Sequence, residues 1–381
     1  MSFLTEEQQA IREMALTFAT SEIAPHALHW DETKTFPLDV LRAAAGLGMA
    51  GIYTSEEYGG SGLSRLDAVL IFEALATGCP ATSAFLSIHN MATWMIDSFG
   101  PAEMRADLVP QLVTMDKVAA YCLTEPGCGS DAAALTTKAK RDGDDYVLNG
   151  TKQFISGAGA CDYYIVMART GGEGPGGVSA IVVPKEAVGL SFGANERKMG
   201  WHVQPTRTVI LEDCRVPVAN RLGAEGEGFK FAMKGLDGGR LNIAACSLGA
   251  AQAALDKSLA YMAERKAFGK RLDQFQALQF RLADMATHIE ASRALLYRAA
   301  GALDRGDADA TSMAAMAKRF VTDTCFQVVD EALQLHGGYG YLAEYGVEKL
   351  LRDLRVHRIL EGTNEIMRLI VARSLLAEGG R

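Results

Sequence analysis

Hydrophobic positions in the first third of the chain recur at roughly the spacing of α-helices. Residues that share a helix face lie about three or four positions apart, so each run can bury an apolar stripe. These residues are Ile11, Met14, Phe18 and Ile23 and, further along, Val69, Phe72, Leu75 and Ala76. The pattern continues to about Leu112 and predicts an N-terminal α-helical domain over residues 1–120.

The pattern then changes to short runs of β-branched and aromatic residues, which are typical of strands. The runs cover residues 146–148, 163–167, 180–183 and 208–211. Asn149-Gly150 lies between two of them and predicts a hairpin turn, because both central positions of such a turn need positive φ. The glycine-rich tract 171–177 has the composition of an exposed loop. We therefore predict a middle β-barrel-like domain over residues 121–222.

Long helical patterns return in the last part of the chain. In the first helix, leucine or methionine recurs every seven residues over 241–262, and in the second, apolar residues trace one face over 275–296. A third helix is expected to end near Gly337-Gly338, and a fourth to begin at about Thr363. Four long amphipathic helices predict a C-terminal four-helix bundle over 223–381 and, with the other domains, an α+β multidomain fold.

Charge and composition argue against two classes of partner. The net charge is −8, and the 38 Lys and Arg residues are scattered along the chain, unlike a surface that follows nucleic-acid phosphates. The close pair His26 and His29 has no acidic residue between its members, and the other histidines show no metal-binding spacing. We therefore predict no nucleic-acid partner and no metal site.

Cysteine usage and hydropathy bear on the compartment. The seven cysteines show no Cys-x-x-Cys spacing, and we expect buried thiols in a reducing environment. No apolar stretch approaches the ~18 residues of a membrane span, and the first residues lack the pattern of a secretory leader. We expect a protein of the bacterial cytoplasm or, as a mature chain, of the mitochondrial matrix, with no membrane partner.

The segment Gly127–Ala132 formally matches the Gly-x-Gly-x-x-Gly/Ala dinucleotide fingerprint. That fingerprint needs a strand before it, a long helix after it and a βαβ unit around it, whereas here a mixed polar run and then hairpins follow. We therefore interpret the segment as a turn of the β domain. Its exposed backbone N–H groups and the hydroxyl of Ser130 leave open a contact with a pyrophosphate or pantetheine chain.

Two further motifs are expected at helix ends. Gln334–Tyr341 has the composition of a glycine-terminated helix with a hydrogen-bonded His336. Glu361 stands beside a glycine between two apolar helix ends, where desolvation would raise its pKa toward the range of a general base. Thr363 and Asn364 are good N-cap residues, so a solvated carboxylate at a helix junction is an equal alternative from these residues alone.

Taken together, the three stretches resemble the acyl-CoA dehydrogenase family over essentially the whole chain. Tyr121–Asp131 is similar to the first signature of the family, and Gln334–Gly338 with Glu361–Glu365 is similar to its C-terminal signature. The family has the same order of helical, β and helical-bundle domains. The resemblance implies an FAD enzyme that oxidises the α,β bond of an acyl-CoA and passes electrons to an electron-transfer flavoprotein.

The resemblance also assigns the flavin contacts. The flavin ring would lie against Tyr121–Thr124 and Phe154–Ser156, although many relatives have Trp and Thr at positions 154 and 156. Arg265, Phe275 and Gln276, with residues 334–338 of a neighbouring subunit, would hold the pyrophosphate and adenosine, so the site would need at least a dimer. The resemblance to the family implies a homotetramer. The implied FAD positions are Tyr121, Cys122, Leu123, Thr124, Gly129, Ser130, Phe154, Ile155, Ser156, Arg265, Phe268, Phe275, Gln276, Gln334, Leu335, His336, Gly337, Gly338, Thr363, Asn364 and Glu365.

The base and the substrate contacts follow from the same resemblance. Glu361 would remove the α proton. Some relatives instead carry their base immediately before the arginine of the first long bundle helix, where this chain has Gly239 before Arg240. The positions that resemble acyl-CoA contacts are Ser130, Asp237, Gly238, Gly239, Arg240 and Arg373.

Two more stretches of sequence narrow the choice of substrate. Residues 72–100 and 200–207 are similar to the branch of the family that acts on isobutyryl-CoA in valine degradation, so we expect the product methacrylyl-CoA. Short-chain and 2-methylbutyryl-CoA dehydrogenases are the alternatives within the family. An acyl-CoA oxidase, in which oxygen reoxidises the flavin, and a flavin-free binding protein on the same scaffold are the rival classes.

Overall fold

The N-terminal domain is helical, as the pattern predicts. The computed structural model describes residues 4–379. In it, a capping box between Thr5 and Gln8 starts the first helix, Ser64 and Asp67 form a similar box, and Pro80 occupies the first turn of the fifth helix. The helices are α1 (Glu6–Phe18), α2 (Ala27–Thr33), α3 (Leu38–Ala45), α4 (Arg65–Gly78), α5 (Pro80–Phe99) and α6 (Ala102–Val113).

The middle region forms one mixed sheet. Its strands are β1 (Ala119–Cys122), β2 (Lys138–Asp142), β3 (Asp145–Ser156), β4 (Tyr163–Arg169), β5 (Val178–Pro184), β6 (Leu190–Phe192), β7 (Thr206–Pro217) and β8 (Arg221–Leu222). The strand order is β6-β7-β3-β2-β4-β5-β8, and β1 pairs in parallel with β4. All four predicted runs lie in strands, and the tract 171–177 forms the predicted loop between β4 and β5.

The predicted hairpin turn at Asn149-Gly150 is wrong. Strand β3 continues through both residues, with a register irregularity against β7 at this point. The Asn149 side chain instead pairs with Asp213 on β7, accepting from its backbone N–H at 2.9 Å and donating to its carboxylate at 3.0 Å. The turn between β2 and β3 lies at Gly143-Asp144, where Gly143 has a φ of 64°. A bulge uses the same residue types as a turn, which explains the error.

The C-terminal region is a bundle built on the predicted long helices. The helices are α7 (Gly228–Glu264), α8 (Gln276–Arg305), α9 (Ala310–His336), α10 (Val347–Arg355) and α11 (Asn364–Gly379), and a small hairpin of β9 (Lys266–Ala267) and β10 (Lys270–Arg271) follows α7. Helix α9 packs against α7, α8 and α11. The leucines and the methionine spaced by seven residues on α7 are all buried. Helix α10 was not predicted.

The regions share packing surfaces that position the site. Helices α4 and α5 pack against α7, so the two helical regions have a common core. A buried polar network joins the loop before β7 to α10 and to the turn that follows it. Trp201 donates its backbone N–H to Asp353 on α10 at 2.6 Å and its indole N–H to His357 in the turn at 3.2 Å. Burial lowers the pKa of His357 to about 3, so this ring is neutral.

Within residues 4–379, no helix combines the length and the apolar character needed to cross a bilayer. The seven cysteines lie in this part of the chain, and each is buried with a free thiol. The same residues contain no cluster of three or more His, Cys, Asp or Glu side chains arranged to hold a metal ion.

Candidate active site

Glu361 lies in the turn between α10 and α11, in an unusual backbone conformation. Its φ is +55° and that of Gly362 is +85°, so two consecutive residues occupy the left-handed region. For a residue with a Cβ atom, this region costs roughly 1–2 kcal/mol. Strained residues of this kind persist where surrounding contacts fix them, and they cluster at functional sites. The turn is therefore held by its neighbours rather than by local preference.

Gly239 on α7 provides the space that the Glu361 carboxylate fills. A Cβ atom added at Gly239 would lie 2.6 Å from Oε2 and 3.1 Å from Oε1 of Glu361. Both distances are shorter than an ordinary van der Waals contact. A side chain at position 239 and the observed carboxylate therefore exclude each other.

The environment of Glu361 favours the protonated form. Burial raises its pKa to about 7, against the opposing charges of Arg240 and then Lys318. The residue as a whole is half-buried, but its Oε2 is enclosed and has no hydrogen-bond partner among the described residues. Buried polar atoms without a partner are rare in folded proteins. An enclosed carboxylate that titrates near neutrality matches the general-base interpretation rather than the solvated helix-junction alternative.

Arg240 connects the turn to α7. Its side chain is buried; Nη1 lies 2.6 Å from Oδ1 of Asp237, and Nε donates to the backbone carbonyl of Glu361 at 3.4 Å. Thr311 on α9 donates to the other oxygen of Asp237 at 2.8 Å. The structure thus brings the predicted substrate-contact segment Asp237–Arg240 directly against Glu361.

Lys318 on α9 belongs to this site and was not predicted. Its ammonium group is buried and donates to the Gly362 carbonyl at 2.8 Å and to Oδ1 of Asn364 at 2.9 Å. Asn364 is therefore a structural support of the turn, and Thr363 caps α11 by accepting from the Ile366 backbone N–H at 3.3 Å. A lysine among the buried alanines of one face of α9 is the sequence signal that could have identified it.

Aromatic residues cover the other side of the site. The Tyr121 hydroxyl on β1 is buried without a hydrogen-bond partner in the described structure, and its pKa is raised well above the usual value by burial and then by Glu361. Arg65, at the start of α4, lies over the Tyr53 ring at 3.6 Å and the Trp94 ring at 4.9 Å. An added Cβ at Gly238 would collide with this guanidinium. Sequence reasoning missed Tyr53, Arg65 and Trp94 as site residues.

The two predicted flavin-ring segments lie side by side. The backbone N–H of Gln153 donates to the Thr124 carbonyl at 2.8 Å, which joins 121–124 to 154–156. Phe154 has a φ of +60° and is 64% exposed, while the side chains of Cys122 and Ile155 are buried. The side chains of those two residues are therefore not open to a ligand in the single chain.

A buried ion pair supports these segments. Lys152 donates to Glu125 at 2.8 Å and to the Leu123 carbonyl at 3.1 Å. Burial favours the neutral form of Glu125, but Lys152 and the hydrogen bonds from Thr136 and Thr137 outweigh it and lower the pKa to about 2. The ion pair therefore helps to fix the backbone of Leu123 and Thr124, because Lys152 also binds the Leu123 carbonyl.

The Gly127–Ala132 segment is a turn, as predicted. A bridge between Glu125 and Cys128 encloses Gly127, and a short 3₁₀ helix at Ala132–Ala134 and then β2 follow, without a long helix. Gly129 and Ser130 are exposed, and a Cβ at Gly129 would meet open space. Both residues are therefore accessible to a ligand.

A second group of predicted cofactor residues surrounds a separate cavity of about 580 Å³. Arg265 and the segment Gln334–Gly338 of the same chain line it together, whereas we expected residues 334–338 to come from a neighbouring subunit. The Arg265 guanidinium lies 5.4 Å from the centre of the Tyr339 ring. Leu335 and His336 are buried, and burial lowers the pKa of His336. Gln334 and both glycines are exposed.

The remaining predicted residues lie at or near the surface. The Phe268 ring, 96% exposed, lies 6.4 Å from that of Phe275, and Gln276 begins α8. Glu365 is exposed and lies 3.6 Å from Arg368. Arg373 is exposed on α11.

Known protein families account for this arrangement. Residues 5–116, 120–214 and 226–376 match the N-terminal, middle and C-terminal domains of acyl-CoA dehydrogenase, respectively. Together the matches span most of the chain. The chain belongs to the acyl-CoA dehydrogenase family and is an enzyme of that class.

Individual relatives are similar over nearly their full length. The chain is 56% identical to mitochondrial isobutyryl-CoA dehydrogenase of Bos taurus over 375 residues, which cover 98% of this chain and 90% of the relative. It is also 56% identical over 373 residues to the mitochondrial isobutyryl-CoA dehydrogenase of Dictyostelium discoideum, with the same coverage. The structure of butyryl-CoA dehydrogenase from Megasphaera elsdenii superimposes with a TM-score of 0.95 at 39% identity, covering 99% of this chain and all of that one.

Proposed function

We propose that this enzyme catalyses the FAD-dependent α,β-dehydrogenation of a short branched acyl-CoA, isobutyryl-CoA to methacrylyl-CoA, in valine degradation. The observation that carries the proposal is the Glu361 carboxylate, enclosed against Gly239 with a pKa raised to about 7. The 56% identity to isobutyryl-CoA dehydrogenases supports the choice of substrate. An electron-transfer flavoprotein is the proposed electron acceptor, and the cytoplasm or mitochondrial matrix the proposed compartment.

Glu361 acts as the general base in this proposal. The α C–H bond of a thioester is a weak acid, so its proton needs a base that is aligned and largely desolvated. A positioned base contributes ~10²–10⁴-fold in rate. The proton moves to the Glu361 carboxylate as the α,β double bond forms, and the Glu361 backbone N–H donates to the thioester carbonyl. When bound, FAD supplies the acceptor for the hydride that leaves the β carbon.

The residues present fit an FAD. The partly exposed residues Leu123 and Thr124 and the exposed Phe154 ring suit the edge and face of a flavin. The cavity at Arg265 combines a guanidinium with the open backbone of Gly337 and Gly338, which suits a pyrophosphate. The two surfaces share no residue, so we propose that FAD lies between subunits of a homotetramer and that each site takes residues from two chains.

The packing beside Glu361 supports a short acyl group. Gly239 faces the base, and its neighbour Gly238 faces the guanidinium of Arg65. Tyr53 and Trp94 hold that guanidinium, and Asn242 donates to the Tyr53 hydroxyl at 3.2 Å. Displacing the stacked cation to admit a longer chain would break its contacts with both rings, and this is the basis for proposing a short acyl group.

Anaerobic titration of the purified flavoprotein tests the substrate. Isobutyryl-, butyryl-, 2-methylbutyryl- and isovaleryl-CoA are added separately, and bleaching of the flavin absorbance is followed. Isobutyryl-CoA should bleach it fastest. Faster bleaching by butyryl-CoA or 2-methylbutyryl-CoA would move the enzyme to another branch of the family. A protein that stays colourless after incubation with FAD would refute the proposal as a whole, and hydrogen peroxide formed in proportion to product in air would refute the choice of acceptor.

A further inference from the structure

A lysine without exposed surface lies beneath the turn that carries the base. Lys318 is 0% exposed, and both acceptors of its ammonium group, the Gly362 carbonyl and Oδ1 of Asn364, are uncharged. An ammonium ion taken out of water is stable only near compensating negative charge. Neutral hydrogen-bond partners alone do not explain why a cation is kept at this position.

Four charged groups influence Lys318. Glu361 is the strongest and favours the ammonium form, Arg240 opposes it, and Asp323 and then Glu365 favour it more weakly. Asp323 is already engaged by Arg358 at 2.7 Å, and Glu365 is exposed to solvent. The Glu361 carboxylate is therefore the counter-charge that remains for Lys318.

Two cations, Arg240 and Lys318, lower the pKa of Glu361. Arg240 on α7 has the larger effect, but its guanidinium is committed to Asp237 at 2.6 Å. The tyrosines that face the site, Tyr53 and Tyr121, have raised pKa values and stay neutral at neutral pH. A third cation, Arg65 on α4, stacks on the Tyr53 and Trp94 rings and is not among the charges that shift Glu361. Of the two cations that act on Glu361, Lys318 on α9 is thus the one that the described residues leave without a carboxylate of its own.

We propose that Lys318 is a positioning residue for Glu361: it holds the left-handed Glu361-Gly362 turn through the Gly362 carbonyl and keeps the base ionised in the resting enzyme. The inference rests on the proposed function, because it takes Glu361 to be the base. Burial lowers the pKa of Lys318 to about 7 even though ionised Glu361 opposes this effect, so the two charges are mutually dependent. Proton transfer to Glu361 then neutralises one member of the pair.

The test is the pH dependence of flavin bleaching by saturating isobutyryl-CoA in the holoenzyme, measured anaerobically over about four pH units around neutrality. Lys318→Met removes the charge with little change in volume, and Lys318→Arg keeps it. The acid limb is the low-pH side of the profile of bleaching rate against pH, where Glu361 becomes protonated. Without the cation the pKa of Glu361 rises, so the acid limb of the Met variant should move to higher pH by about one unit. The Arg variant should keep the limb of the unmodified enzyme.

Thr322→Val is the matched control. Thr322 lies in the same cluster, with its hydroxyl 3.0 Å from Nδ2 of Asn364, and its replacement changes packing but no charge. Its acid limb should not move. If Lys318→Met does not fold, Lys318→Gln takes its place.

A uniform loss of rate in the Met or Gln variant at every pH, with an unmoved limb, would show a purely structural role and overturn the inference. Failure of the proposed function would give a different result: the Glu361→Gln variant would still bleach its flavin, which would show that Glu361 is not the base.

Discussion

Substituting alanine for Gly239 adds one methyl group where the carboxylate of Glu361 packs. The new Cβ would lie 2.6 Å from Oε2, 2.9 Å from Cδ and 3.1 Å from Oε1. Ordinary contacts begin at 3.4 Å, so the carboxylate must withdraw by about 0.8 Å or change its rotamer. The shift falls on the reacting group itself rather than on the far end of a surface side chain.

The expected result separates activity from stability. A misplacement of about 1 Å in a catalytic group costs roughly 10²-fold in rate, so kcat/KM with isobutyryl-CoA should fall by about that factor. Alanine favours a helix interior by about 1 kcal/mol over glycine, and this gain offsets part of the cost of moving the carboxylate. The Tm should therefore stay close to that of the unmodified enzyme.

Gly235→Ala is the matched control for this substitution. Gly235 lies one turn earlier on α7, and a Cβ there would meet Met91 and Met95 at 3.5 Å, an ordinary contact. Steady-state kinetics and thermal unfolding of both variants complete the assay. Near-normal activity of Gly239→Ala, or equal losses in the two variants, would refute the close packing of base and glycine.

Two further predictions concern stability and cofactor binding. The folded pKa of Glu361, about 7, lies above its usual value of 4.5, so this carboxyl group lowers the free energy of unfolding progressively as the pH rises from about 4.5 to 7, and the loss is complete above 7. Glu361→Gln should consequently be more stable than the unmodified protein at pH 8, by up to roughly 3 kcal/mol, and the difference should vanish below about pH 4.5 in denaturant unfolding. Arg265→Ala should release FAD or weaken assembly, which flavin absorbance and size-exclusion chromatography would detect. Lys266→Ala, at the exposed neighbouring position, should do neither. An intact and fully flavinylated oligomer of the Arg265→Ala variant would contradict the placement of Arg265.

Periodicity predicted the helical parts of the fold well because their helices are long and amphipathic. The seven-residue repeat of α7 and the glycine that ends α9 are strong local signals. Helix α10 has only nine residues between two short 3₁₀ segments, but its apolar residues Val347, Leu350, Leu351 and Leu354 do follow helical spacing. This helix could therefore have been predicted from the sequence. Asn149-Gly150 has the composition of a turn, but the pairing of β3 with β7 keeps both residues in an extended strand.

The candidate site was predictable only in part. Glu361 stood out because a carboxylate next to glycine at a helix junction is unusual, yet its own neighbours could not distinguish a base from a solvated side chain. Its enclosure depends on Gly239, which is 122 positions away in the chain, and on Lys318. Contacts between such distant positions are set by helix packing, which no local pattern encodes.

The most direct test of Glu361 as the base is anaerobic stopped-flow mixing of isobutyryl-CoA with the unmodified flavoprotein and with Glu361→Gln. The unmodified enzyme should bleach rapidly. The variant should keep its bound-flavin spectrum yet bleach at well under about a tenth of that rate, since a positioned base contributes at least ~10²-fold. Glu103→Gln, at an exposed position on α6, should behave like the unmodified enzyme. Bleaching of Glu361→Gln above about a tenth of the normal rate would contradict the assignment of the base.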